Sequence, residues 1–205
     1  MELFNNTLLP ISEDEFISLF LKGEILSNRF SNQILKAIKK FNTSKEIIIN
    51  PKLTNLRENN LRKAILEESR KYLSRKGLFE GFPNDIKWYR SRFPSSFLVN
   101  NVKYIDYDYW LEITGGSRFP KDAIEKINKN EKVFDVSYDN FIEASNCFKK
   151  GNIFEEIIIV SDSKDYVVLE GHLRLTVYTL NKDILPKFIS VIIGFSDHMK
   201  EWGNF

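Results

Sequence analysis

The chain has 205 residues, 42% of them hydrophobic and 28% charged, a balance that supports one good hydrophobic core and excludes a globally disordered chain. One cysteine and two histidines exclude a disulfide framework, a zinc site built from several thiolates and a histidine-rich metal cluster. With 30 basic against 28 acidic side chains the whole is no strongly basic nucleic-acid binder, although residues 1–100 carry 17 basic and 11 acidic groups and so permit a basic face.

No segment is long and apolar enough to span a bilayer, and MELFNNTLLP lacks a basic region followed by an apolar run. A cytoplasmic protein with no membrane partner is the expectation. Ser12 ahead of Glu13, Asp14 and Glu15 predicts an N-cap and an acidic first turn, with Phe16, Leu19 and Phe20 continuing at helical spacing. Ile34, Ile38 and Phe41 predict a second helix. Glu46–Asn50 is expected to be extended, because the residue before Pro51 avoids the helical region.

Residues 54–76 predict the most basic helix. Leu61, Ile65, Tyr72 and Leu73 can line its apolar stripe; Arg62, Lys63, Arg70, Lys71, Arg75 and Lys76 decorate a solvated remainder; Gly77 is the expected stop. Residues 78–104, punctuated by Gly81, Pro83 and Pro94, read as loop with short extended pieces. There Trp88, Tyr89, Arg90, Arg92 and Phe93 interleave rings and cations, which suits either stacked bases with bound phosphates or a packed loop whose arginines pair with carboxylates.

In Tyr104–Trp110, Asp106 and Asp108 would share a face on a strand, which suits a metal; helix capping is the plainer role. Gly115–Gly116 breaks the chain, and Pro120 starts another helix. The last third predicts a helix over Tyr138–Lys150, a hairpin of Phe154–Val160 and Tyr166–Leu169 around the polar turn Ser161–Asp165, a helix over Glu170–Asn181 and a final strand Phe188–Gly194.

The junction between hairpin and helix carries the chemistry. Gly171 lets the backbone approach a ligand, and the helix start leaves free N–H groups that favour an anion. His172 and Arg174 stand beside those amides, and Arg174 can grip a phosphate with two parallel bonds. Glu170 can act as a general base or face a metal-nucleotide. Glu170 and Arg174, four apart, can also simply pair on the helix surface. Arg118, in Gly115–Arg118, is a candidate secondary phosphate contact if that loop folds over the turn.

From about Ser137 to Gly194 the chain resembles the core of the ParB/sulfiredoxin-like superfamily. Its members share a helix, a hairpin, a glycine-containing turn and a helix rich in His and Arg. The turn of the related free serine kinases reads approximately D-G-H-H-R; here Glu170 takes the acidic place, then Gly171, His172 and Arg174 match, while Leu173 departs. Sulfiredoxins use a cysteine in this turn, whereas Cys147 lies on the preceding helix, so that activity is disfavoured. Gly81–Tyr89, Tyr104–Arg118 and Leu169–Leu175 together also resemble a bacterial family, a likeness that implies lineage and no activity.

The resemblance covers the last third only and implies a small mixed-sheet core (131–205); with the helical patterning of the N-terminal region (1–130) and no flexible linker between them, an α+β fold with that region packed on the core is expected. The resemblance also implies a nucleotide-phosphate site at Gly171, His172 and Arg174, with Glu170 and His172 as catalytic candidates and ATP or CTP with Mg2+ as the bound species. Phosphoryl transfer or nucleotide hydrolysis is the implied reaction. Two alternatives stay open: a ParB-like nuclease or nucleic-acid-binding module using residues 57–92, which hold ten basic against five acidic side chains, and a non-catalytic protein-interaction module.

Overall fold

The computed structural model describes residues 8–27 and 29–205. Ser12 caps the first helix as expected, its hydroxyl accepting from the Glu15 amide at 3.1 Å. The elements run β1 (Leu9–Pro10), α1 (Glu13–Ile25), α2 (Ser31–Lys40), α3 (Glu46–Ile49), α4 (Leu56–Arg70), β2 (Lys87–Pro94), α5 (Ser95–Asn101) and β3 (Val102–Lys103). They continue with α6 (Asp108–Thr114), α7 (Pro120–Lys129), α8 (Asp139–Lys149), β4 (Ile157–Ser161), β5 (Tyr166–Glu170), α9 (His172–Leu180) and β6 (Phe188–Phe195).

The chain is α+β, built on one mixed sheet in the order β1-β2-β6-β4-β5-β3. β6 runs antiparallel to β2 and parallel to β4; β4 and β5 form the expected hairpin; β3 adds in parallel to β5. The hairpin turn closes on Asp162, whose carboxylate accepts the amides of Lys164 at 2.9 Å and Asp165 at 2.8 Å. Residues 1–130 therefore do more than pack on the C-terminal core: they supply β1, β2 and β3 to its sheet.

Both faces of the sheet are covered, which is why β4 reads as an unbroken apolar run. Ile157, Ile159, Val168, Val191 and Ile193 pack into one core with Leu98, Trp110, Ala123, Phe141 and Leu175 of α5–α9. Ile158, Val160, Val167, Leu169 and Ile192 pack into the other with Phe16, Phe20, Ile34, Ile48 and Ile65 of α1–α4. The alternation of strand residues assigns each side chain to its layer.

Three expectations for the first half are corrected. Glu46–Ile49 is a helical turn: the Ser44 hydroxyl accepts the Glu46 amide, and proline restricts only Asn50, which leaves the helix at φ −123°. Helix α4 stops at left-handed Lys71, well before Gly77, because the Glu67 carboxylate takes the Leu73 and Ser74 amides at 2.6 and 3.0 Å. As a result Tyr72 turns inward while Leu73 is exposed. The expected loop 78–104 contains the eight-residue strand β2 and helix α5, since β2 pairs along its length with β6 and buries Trp88 in one core and Phe93 in the other.

Arg62 is the sharpest departure from a solvated helix face. It is fully buried, donating to the Ile47 carbonyl at 2.8 Å and to the Asn59 side chain, with Glu58 at 3.6 Å. It ties α4 to α3.

Candidate functional site

The turn between β5 and α9 is shaped by a β-bulge. Ile158 pairs with Glu170 and Ile159 with Val168, so Leu169 is the extra residue. Strict alternation would send Glu170 to the opposite side from Leu169. The bulge instead aims both at the α1–α4 layer, where Glu170 meets Gly23 of α1. Gly171 then adopts φ +100°, a left-handed conformation that glycine accepts without penalty, and becomes the N-cap of α9.

Glu170 is enclosed and ion-paired with Arg174 of the next turn. Burial raises its pKa, while Arg174 and the Gly171 amide pull it back. The Arg174 guanidinium is otherwise engaged with backbone, donating to the carbonyls of Glu155 and Glu156 at 3.1 Å each. It is thus a clamp between the helix start and the irregular segment leading into β4.

His172 lies on a stack of aromatic rings. Its ring sits 5.1 Å from Trp110 and 6.0 Å from Tyr104, nearly parallel to both. Tyr104 is fixed in turn by a 2.6 Å bond between its hydroxyl and Thr176. Burial, reinforced by Arg29, Arg174 and Arg70, holds the imidazole down to about 3, so it is neutral at physiological pH. Its Nε2 is shut off from solvent with no hydrogen-bond partner among the described residues.

The N-terminal helices complete this cluster. Glu24 of α1 is buried, and Nε of Arg70 from α4 lies 3.6 Å from its carboxylate, an ion pair too long for a hydrogen bond. The Phe30 ring lies against two guanidinium groups, 4.1 Å from Arg70 and 5.1 Å from Arg29. Burial raises Glu24 to about 7, with Arg70 opposing and Glu170 adding to the rise. Glu24 Oε2, Arg70 Nε and the Tyr109 hydroxyl are, like His172 Nε2, buried without a hydrogen-bond partner among the described residues.

Glu170, Gly171, His172 and Arg174 are therefore brought together, with Gly23, Glu24, Arg29, Arg70 and Tyr109 as unforeseen neighbours. One sequence signal pointed there: an isolated glycine inside the α1 pattern marks a close approach. Arg118 is engaged elsewhere. Its guanidinium donates to the Tyr104 carbonyl at 2.9 Å, to Asp106 at 3.1 Å and to the Phe205 carbonyl. Asp106 is thus an ion-pair partner, and Asp108 occupies the first turn of α6.

Four of the ten basic residues in 57–92 are in ion pairs among the described residues: Lys63 with Glu13 and Asp14, Arg70 with Glu24, Arg90 with Glu15 and Glu156, and Arg62 with Glu58. In the Trp88–Phe93 stretch Arg90 pairs with carboxylates, as the packed alternative expects, whereas Arg92 lies over the Phe188 ring. Among the described residues no group of three His, Cys, Asp or Glu side chains could hold a metal ion. Both carboxylates of the cluster face arginines, so the site does not fit a magnesium ion caged by protein. No described helix is long and apolar enough to cross a membrane. No protein-family model, no curated protein and no solved structure matches this chain.

Proposed function

We propose that the chain is a nucleotide-phosphate-binding protein whose anion site is the polar cluster between α1, α4 and the β5–α9 turn. The observation that carries this reading is a cluster of buried polar atoms without hydrogen-bond partners beside more arginines than carboxylates, with Arg70 and Arg174 half-buried and Arg29 at the exposed edge. Arg29, Arg70 and Arg174 act together on His172, against two carboxylates, of which Glu24 is near half-protonation at neutral pH. Cations partly withdrawn from water that exceed their counter-charges are stabilised by an anion. The start of α9 adds backbone N–H groups and a favourable dipole, and unpartnered Arg70 Nε, Tyr109 and His172 Nε2 supply further polar contacts.

The nucleotide, ATP or CTP, follows from the likeness to the ParB/sulfiredoxin-like superfamily. In phosphoryl transfer or hydrolysis Glu24 is the group suited to exchange a proton near neutrality, because its pKa lies there. Neutral His172 orients the phosphate or its acceptor. Glu170 holds Arg174 in place, and Arg174 neutralises developing charge from the clamped position.

Calorimetric titration with ATP, CTP and pyrophosphate tests this, on the wild type and on Arg29→Gln and Arg70→Gln. Arg29 is exposed, so its variant keeps the fold. Each substitution is expected to weaken binding by about tenfold, the loss of one charge-assisted contact. Wild-type protein that binds none of the three, or affinities indifferent to both substitutions, would sink the proposal.

A further inference from the structure

A concavity lies at the opposite end of the Arg174 clamp and belongs to none of the chemistry above. It is a cleft of about 490 Å3, within the size range of small-molecule sites. Three rings form its floor: Phe148 from the end of α8, Phe154 and Tyr178 of α9, with centroids 5.7–6.1 Å apart. Its lip is apolar where solvent would favour polar groups. Ile153 is 96% exposed, Ile184 57% and Phe188 38%.

The charges around it are unequal. The two acidic residues of the wall are already matched, Glu155 by Lys22 at 3.0 Å and Glu156 by Arg90 at 3.0 Å. The cations are not. Lys149 lines the cleft, and Arg92 and Lys187 stand over the Phe188 ring at 5.6 and 5.5 Å. None of these three is in an ion pair among the described residues. The wall is also pre-set, because Arg174 holds the Glu155 and Glu156 carbonyls from behind.

We propose that this cleft binds a small amphipathic acid, an aromatic or branched apolar body carrying one anionic head. The body lies on Phe148, Phe154 and Tyr178 under the Ile153 lip. The head turns outward to the Lys149, Arg92 and Lys187 rim, where it stays partly hydrated and requires no buried counter-ion.

The test pairs two probes of the same body and opposite charge, 4-phenylbutyrate and 4-phenylbutylamine, titrated into the full chain by calorimetry. The acid should bind about tenfold more tightly than the amine, with the preference shrinking as salt rises. Ile153→Asp and Lys149→Glu alter exposed side chains and leave the melting temperature unchanged. Each should weaken the acid by about fivefold. Arg29→Gln, which probes the polar cluster, should leave acid binding untouched, so the two sites fail or succeed separately. Equal affinity for both probes, binding of neither, or an acid affinity unmoved by both cleft variants would overturn the assignment.

Discussion

A side chain at Gly23 would begin inside the carboxyl group of Glu170: its Cβ would stand 2.6 Å from Glu170 Cδ and 2.7 Å from each carboxylate oxygen. Glu170 cannot step aside freely, because Arg174 and the Gly171 amide hold it. Gly23→Ala should therefore lower stability by about 1–2 kcal/mol, overpacking outweighing the gain in helix propensity. Urea unfolding checks this. Adding Glu170→Ala should return part of the loss, and two independent, additive effects would show that the residues do not press on one another.

Gly171 faces a double constraint. Its φ of +100° disfavours any side chain, and a Cβ would lie 2.8 Å from Ile157 Cγ2. Gly171→Ala should cost about 2–4 kcal/mol in unfolding free energy. A cost below about 0.5 kcal/mol would mean that the turn relaxes at little expense.

Removing Arg174 alone strands the enclosed Glu170 carboxylate and frees two carbonyls. Arg174→Ala should destabilise by about 3–5 kcal/mol, so loss of ligand binding in that variant reports on folding as much as on contact. Glu170→Leu with Arg174→Met should recover much of the stability, since a well-packed apolar pair replaces a buried ion pair at little cost. Thermal melting of the single and double variants distinguishes a clamp from a surface pair.

Glu24 and His172 impose opposite pH dependences. Glu24 is raised from 4.5 to about 7, so the folded state holds a proton that the unfolded state has lost, and stability falls as pH climbs from about 4.5 to 7. His172 is lowered from 6.5 to about 3, so its contribution makes stability rise as pH climbs from about 3 to 6.5. The two oppose each other where the windows overlap. Glu24→Gln should gain on the wild type by about 3 kcal/mol between pH 4 and pH 8. A constant difference across that range would show that Glu24 titrates as an ordinary carboxylate.

The last third was legible in the sequence because its contacts are local. The hairpin around Ser161–Asp165, the glycine at the strand–helix junction and the short helix behind it lie within about thirty residues of one another, and their periodicities are intact. β2 was harder to read. Gly81, Pro83 and Pro94 bracket it with turn signals, and its partner β6 is about a hundred residues away. Arg62 and Arg70 read as surface charges because composition does not say which face of α4 meets α1 and α3. The same holds for Glu24 and Arg29, which join Glu170 only through the packing of α1 on the sheet. The bulge at Leu169 leaves no mark that a single sequence displays, yet it decides which layer Glu170 faces.

The order of strands also bears on how the chain comes to be folded. β6 is the last strand made and fills the slot between β2 and β4. Until it arrives, β2 and β4 have no hydrogen-bonded connection, and helices α1–α4, synthesised first, lack Ile192 in the floor beneath them. Sheet closure thus waits on a contact of high sequence separation, which slows folding and leaves apolar helix faces open to association during synthesis. Refolding should be slow for a chain of this size, and truncation before Phe188 should yield an aggregating fragment.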